Sequence, residues 1–395
     1  MTSAQDQNHG ARGKAPLTFC VYGTYQASED YPNTRYFLQL LNTSVRFRLL
    51  DEWGGQLSAG RYYDRTRSWP AKLLAFAGLG FNSLRAALRI RRACLRLAPD
   101  FIYVPYPGVV VLWCLSFLPF QRKATILVVD SFISLFDTVV IDRKLLGQDS
   151  LAARLLLRFE RRALQVADRV LTDTRLNADY YAHLLGLDAD LFKPLPLSIN
   201  AGGYCQVREQ AMAHQGIKVL FAGSFVPLQG VEIIVRAAAL LKARTDLEFR
   251  LVGDGQTANA IQALISELEL TNVSWSRGWM NSADMLEEYR QADLCLGIFG
   301  GTDKAHRVWP YKNYQAMAAG KALVSMQTKA LDFVTPETGY FCPIPPENPQ
   351  RLAAAIISLA DDMQARRRLG QTAGLAFDTL LASEPTELRF HALVR

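Results

Sequence analysis

Short apolar runs rich in β-branched and aromatic residues alternate along the chain with longer stretches in which apolar positions recur every three or four residues. That rhythm predicts parallel βαβ units, in which buried strands read as continuous apolar segments and each covering helix shows one apolar stripe. In the first half, strands are expected at LTFCVY (17–22), VRFRLL (45–50), FIYV (101–104), ATILVV (124–129) and RVLTD (169–173). Periodicity fades over 198–216, which carries Gly202 and Gly203, and a fresh strand, IKVLFAG (217–223), follows. The second half repeats the rhythm with LEFRLVG (247–253), NVSWS (272–276), DLCLGIF (293–299), KALVSM (321–326) and YFCPI (340–344). The expected fold class is α/β, with two Rossmann-like doubly wound parallel-sheet domains facing a cleft. The expected division is a loose tail over 1–15, a first domain over 16–200, a linker over 201–216 and a second domain over 217–375. A closing helical segment, 376–395, is expected to pack back towards the first domain.

The length of 395 residues exceeds what one core usually organises, and half the residues are apolar against 21% charged, the balance of a folded globular chain. The polar first fifteen residues have no apolar core and do not read as a signal peptide. Six scattered cysteines form no C-x-x-C pair and read as reduced and buried, so the expected location is cytoplasmic. The most apolar window, 108–120, is too short to span a bilayer and is expected to be a helix packed on a sheet.

A formal charge of +7 admits anionic lipid, nucleic acid or phosphorylated ligands. Part of the excess is local. Residues 65–97 carry eight Arg or Lys, no acid, and Trp69, Leu73, Leu74, Phe76, Leu79 and Phe81. This composition suits a peripheral contact with an anionic membrane surface, and equally a helix whose basic face is simply solvated. It lacks the interleaved aromatics of a nucleic-acid site, so no nucleic-acid partner is expected.

Chemistry is sought in the loops after the strands, where doubly wound folds bind ligands. After the first strand, Gly23 and Thr24 stand where a backbone can approach a phosphate, although a lone glycine also makes an ordinary turn. After the fresh strand of the second half come Gly223, Ser224 and Gln229, then an amphipathic helix. In FGGTDKAHRVWPYKNYQAMAAGKALVS (299–325), a glycine pair precedes Lys304, Arg307, Pro310 and Lys312 and then a helix. A glycine-rich loop feeding a helix start, with three cations beside it, is a phosphate site by construction, although the same cations also suit a solvated basic loop.

These two segments resemble the donor-binding domain of GT-B glycosyltransferases of family 4. The likeness extends over about 17–375 and is strongest over 217–345. It implies a nucleotide-sugar donor as substrate with no cofactor, a glycan or lipid-linked acceptor, and transfer with retention and without a metal. The family usually has an Arg after the glycine and a Lys five residues later, where this chain has Ser224 and Gln229. It usually has two glutamates eight residues apart, where this chain has Arg307 and Gln315. Gln315 is thereby expected on the ribose, with Lys304, Arg307 and Lys312 taking over the diphosphate charge. The resemblance also places Gly253 and Trp279 near the nucleotide, although Trp279 equally suits a buried structural position, and Asp130 where many relatives carry a His facing sugar and acceptor. Asp130, Lys304 and Arg307 are the expected catalytic groups. The DAD triplet at 188–190 lacks a second ligand cluster, and no metal site is expected. The four departures leave a second reading, a catalytically silent nucleotide-binding partner protein of the same fold.

Overall fold

The structure, a computed structural model, describes residues 15–25, 32–54, 69–119, 124–209, 215–278 and 280–395. Most of the tail, residues 65–68, the side chains of 69–76, residues 210–214 and Trp279 lie outside them.

The first half builds a sheet from β1 (Leu17–Tyr22), β2 (Phe47–Trp53), β3 (Phe101–Val104), β4 (Ile126–Asp130), β5 (Arg169–Thr172) and β6 (Phe192–Pro194). The second builds another from β7 (Ile217–Ala222), β8 (Leu247–Gly253), β9 (Val273–Arg277), β10 (Leu294–Leu296), β11 (Ala322–Met326) and β12 (Cys342–Ile344). The orders are β2-β1-β3-β4-β5-β6 and β12-β11-β10-β7-β8-β9, and the strand pairs are parallel. Helices of the first half are α1 (Pro32–Thr43), α2 (Trp69–Arg96), α3 (Val109–Leu115), α4 (Leu151–Leu164), α5 (Arg175–Leu185) and α6 (Ala201–Glu209). Those that follow are α7 (Val231–Leu240), α8 (Ala258–Glu267), α9 (Ser282–Gln291), α10 (Asp303–Arg307), α11 (Tyr311–Ala318), α12 (Pro349–Asp361), α13 (Met363–Ala376) and α14 (Ser383–Leu393).

Each order has one place where neighbouring strands send their chain in opposite directions, and there the following loops part to leave a crevice. In the first sheet it lies between β1 and β3, and in the second between β7 and β10. The two crevices share a device. A Cβ on Gly54 would strike the carbonyl oxygen of Gly23, and one on Gly253 would strike that of Gly223. Both central strands thus end on a glycine whose backbone is met closely by a second glycine from the neighbouring strand.

Some elements differ from the pattern-based expectation. β2 begins two residues late and runs on through Asp51, Glu52 and Trp53, because an edge strand tolerates polar positions; Tyr22 donates to Asp51 at 2.6 Å. β6 is only three residues and ends in proline, which leaves no alternation to read. The apolar window at 108–120 contains α3, whose Val109, Val111, Leu112 and Leu115 are buried between α2 and α4. Among the described residues no helix is long and apolar enough to cross a membrane.

The segment taken as a linker contains α6, which packs on α9 and α11. Its Arg208 grips Asp378 with two guanidinium nitrogens at 2.6 and 3.0 Å, a bidentate pair that ties together the two places where the chain passes between halves. Beyond Asp378, α14 lies on the first sheet. Phe390 is fully buried, with its ring 4.9 Å from Phe37 and 5.4 Å from Phe101, and Arg46 donates to Glu387 at 2.7 Å. Removing such a ring costs about 3–5 kcal/mol, so the last helix is part of the first domain's core.

Candidate active site

The β7–β10 crevice is bounded by Gly223 and Ser224 on one side and by Gly297–Gly301 on the other. Lys312, in the first turn of α11, projects into it. A Cβ on Gly223 would lie 2.6 Å from the Lys312 ammonium. That ammonium meets the side-chain oxygen of Gln229 and stands 3.7 Å from the centre of the Phe221 ring. No carboxylate among the described residues pairs with it, and Lys312 is only 6% exposed. Burial pushes its pKa well below the usual lysine range. A buried cation whose polar partner is one neutral amide, beside a helix start and glycine backbone, is an arrangement that an anion completes.

Lys304 and Arg307 are placed differently. The Lys304 ammonium lies 3.1 Å from Asp137 and 3.2 Å from Asp142, and Arg307 lies 3.2 Å from Asp137 and 3.0 Å from Asp303. Arg307 also donates to Asn177 at 2.6 Å, with its guanidinium carbon 3.5 Å from the centre of the Tyr180 ring. Each of its three guanidinium nitrogens thus has a partner within the protein. The three cations close in sequence do not form one cluster. Only Lys312 faces the crevice without a carboxylate partner.

Gln315 sits one turn after Lys312 on α11. Its amide donates to the Tyr204 hydroxyl at 2.6 Å and its oxygen accepts from Tyr289 at 3.2 Å, so both ends of the side chain already have partners. Gly253 accepts from the Trp275 ring nitrogen at 2.9 Å, and Trp275 stacks on Phe225 with ring centres 4.8 Å apart. Asp254 accepts the Gly255 amide and the Arg277 guanidinium and leaves the start of α8 to Thr257.

On the opposite wall, Thr24 is buried beside Gly23 at the end of β1. Asp130 ends β4 at a small cleft lined by Asn33, Phe132, Thr172, Pro196 and Leu197. It accepts from the Tyr103 hydroxyl at 3.0 Å and from Asn33 at 3.4 Å, and burial raises its pKa to about 7. Asp173, just past β5, is likewise raised by burial, to about 6, and accepts from Asn177 at 2.7 Å. The sequence reading missed Asp173, Asn177, Tyr180 and Tyr204. The available signal was the threonine–aspartate–threonine run ending β5, in which Thr174 caps α5 and also donates to the Arg307 carbonyl at 2.6 Å.

The triplet at 188–190 is a turn: Asp188 accepts the Asp190 amide at 2.9 Å and Asp190 pairs with Lys193 at 3.7 Å. Among the described residues there is no group of three or more His, Cys, Asp or Glu arranged to hold a metal ion.

Residues 216–362 match the family model for group 1 glycosyl transferases, and residues 50–197 match that of the glycosyl transferase 4-like domain. A D-inositol 3-phosphate glycosyltransferase of Paenarthrobacter aurescens is 23% identical over 225 residues, 54% of either chain. The chain spans about half the length of the curated relatives it matches. Among solved structures, Anabaena HepE in complex with UDP is similar with a TM-score of 0.64 at 15% identity, over 96% of this chain and 99% of that one. WaaG, a glycosyltransferase involved in lipopolysaccharide biosynthesis, has a TM-score of 0.56 at 14% identity, over 95% and 99%. At such identities the likeness speaks for the fold alone, which is GT-B, whereas the two sequence models together span most of the chain: it belongs to the group 1 glycosyl transferases, with a 4-like domain in its first half.

Proposed function

We propose that this protein moves a sugar from a nucleoside-diphosphate sugar onto an acceptor hydroxyl, with the donor diphosphate seated at the β7–β10 crevice. One observation carries the reading: the buried Lys312 ammonium, without a carboxylate partner, against Gly223 at the start of α11. As the bond to the sugar breaks, negative charge grows on the leaving phosphate, and a fixed cation and helix N-terminus stabilise it more in the transition state than before. Gly223 lets the phosphate approach the backbone, Ser224 offers it a hydroxyl, and Gln229 holds the ammonium in place. Gly253 forms the neighbouring backbone wall, with Gln315 on the nucleoside side. Lys304 retains a third N–H beyond its two carboxylates, and Arg307 acts by holding its loop.

Gly23, Thr24 and Asp130 face the acceptor. Burial raises the pKa of Asp130 to about 7, near the working pH, which suits a group that orients a hydroxyl or takes its proton. We take the reaction to be metal-independent, because the Lys312 ammonium occupies the place where a divalent ion would act, and to be retaining, as the resemblance to family 4 implies. HepE is described with UDP, which supports a uridine nucleotide as the first donor to try. WaaG is described in lipopolysaccharide biosynthesis, and α2 exposes Phe81, Leu84, Leu88 and Leu95 among arginines. Both support a lipid-linked or cell-surface glycan precursor as acceptor, met at the cytoplasmic face of a membrane.

The test is a calorimetric screen of UDP and nucleotide sugars against wild type and Lys312→Ala. Binding to wild type that weakens at least tenfold in the variant supports the reading, and binding that Lys312→Ala leaves unchanged removes it. The silent-partner reading draws on Gln315, whose two ends are already satisfied by tyrosines. Sugar transfer from a bound donor excludes it.

A further inference from the structure

The loop after β4 carries an arrangement that the donor site does not itself require. It runs through Ser134, Leu135 and Phe136 into a π-helical turn, Asp137–Asp142. The loop starts from a fixed point. Buried Glu160 of α4 accepts the Leu135 amide at 2.8 Å, the Phe136 amide at 2.8 Å and the Ser134 hydroxyl at 3.1 Å. Side chains five apart on an α-helix diverge by about 140°, at 3.6 residues per turn. The wider turn, closed by hydrogen bonds to the fifth residue back, swings Asp137 and Asp142 to one side, and the Arg143 amide makes such a bond to Thr138 at 3.0 Å.

Both aspartates then meet one lysine from the other half of the chain, Lys304, at 3.1 and 3.2 Å. The second oxygen of Asp137, a residue with no exposed surface, takes Arg307 at 3.2 Å. Thr174 completes the seat by donating to the Arg307 carbonyl at 2.6 Å. Lys304 and Arg307 belong to α10, which directly follows the glycine pair at the β7–β10 crevice.

We propose that the π turn is the receptor for α10, and that Asp137 and Asp142 are positioning residues which, through Lys304 and Arg307, fix how closely the two domains meet over the donor. The proposal rests on the donor lying at that crevice. It goes beyond it by assigning the closure to a carboxylate pair on the acceptor-side domain. The local geometry explains why both cations are drawn away from open solvent: a buried carboxylate left without them would carry an uncompensated charge.

The test measures the distance between spin labels carried on non-natural residues at Val45 and Leu240, exposed positions in opposite halves, together with UDP affinity. Lys304→Gln and Asp142→Asn are each expected to broaden the distance distribution and to weaken UDP by about fivefold, the scale of one partly exposed ion pair. Asp142 is partly exposed, so its variant does not depend on the folding of a chain altered at fully buried Asp137. Exchanging the charges, Asp142→Lys with Lys304→Asp, is expected to restore the narrow distribution and the affinity. Wild-type distances in both single variants, or an exchange that stays broad, overturn the proposal. If wild type itself fails to bind UDP while the distances respond as stated, the uridine donor reading fails and the closure assignment stands.

Discussion

The Lys312 ammonium rests against the backbone of Gly223 and meets Gln229. The pair is separated by 83 positions in sequence, and it puts a cation from α11 beside the residue at which the wider family usually carries its own lysine.

Reciprocal exchange follows from that relationship. Lys312→Gln is expected to weaken UDP or donor binding by about 10- to 100-fold, the range for a hydrogen bond to a charged group. Adding Gln229→Lys is expected to recover a substantial part, because the new ammonium starts from the position of the old one's partner. Calorimetry on the two single variants and the double variant measures it, and a double variant as weak as Lys312→Gln alone would count against the shared site.

The same lysine is expected to cost stability. Its folded pKa lies below the unfolded value, so the unfolded chain binds more protons in that window and stability rises with pH up to the ordinary lysine pKa. Lys312→Met, similar in length and without charge, is therefore expected to raise the melting temperature at pH 7 and to flatten this slope while abolishing donor binding. Thermal unfolding between pH 6 and 10 shows it. A lower melting temperature in Lys312→Met would mean that the lysine is a structural element of the core.

Asp130 has the opposite sign. Its folded pKa of about 7 lies above the unfolded carboxylate value, so the folded protein keeps a proton that the unfolded chain has released. Its contribution to stability is fully present below about pH 4 and is lost as pH rises to about 7. Asp130→Asn is expected to remove that slope and to be the more stable protein at pH 8, while sugar transfer falls. Denaturant unfolding at pH 4.5 and 8 gives the first result and a transfer assay the second. An unchanged slope in the variant would take the titration away from Asp130.

The β-strand rhythm and the presence of two parallel sheets were open to reading because buried parallel strands leave long apolar signatures, as at FIYV (101–104) and LEFRLVG (247–253). Short elements escaped: β6 has three residues, and α6 opens with Ala201-Gly202-Gly203, which reads as a break. The site was half legible. Loop, glycine pair and cations can be seen in a row, yet what each cation does is set by partners far along the chain, 162 residues away for Lys304 with Asp142 and 170 for Arg307 with Asp137. Charge pairing across such distances leaves no local pattern.

Chelation gives a further check. With the leaving phosphate stabilised by Lys312 and the α11 N-terminus, transfer is expected to persist in excess EDTA. Activity lost on chelation and restored by Mg²⁺ or Mn²⁺ would return a divalent ion to the mechanism.

The surface of α2 supplies the last prediction. Phe81, Leu84, Leu88 and Leu95 recur at helical spacing and are 62, 42, 46 and 51% exposed, an arrangement that a water-facing helix has no reason to favour. Arg85, Arg89, Arg91, Arg92 and Arg96 are interleaved with them, and α2 has no acid. Part of this charge is turned inward, since Arg85 and Arg89 stack over Trp53 at 5.5 and 5.1 Å. Each remaining cation is worth about 1 kcal/mol near an anionic bilayer, so two or three of them with four apolar side chains give reversible attachment. Vesicles containing anionic lipid are expected to sediment the protein at low salt and to release it at high salt, whereas neutral vesicles bind it weakly. Replacing Arg92 and Arg96 with Gln is expected to weaken the salt-sensitive part, and replacing Leu88 and Leu95 with Ser the part that survives salt. If wild type does not sediment with anionic vesicles at low salt, α2 is a solvated helix and the acceptor need not be sought at a membrane.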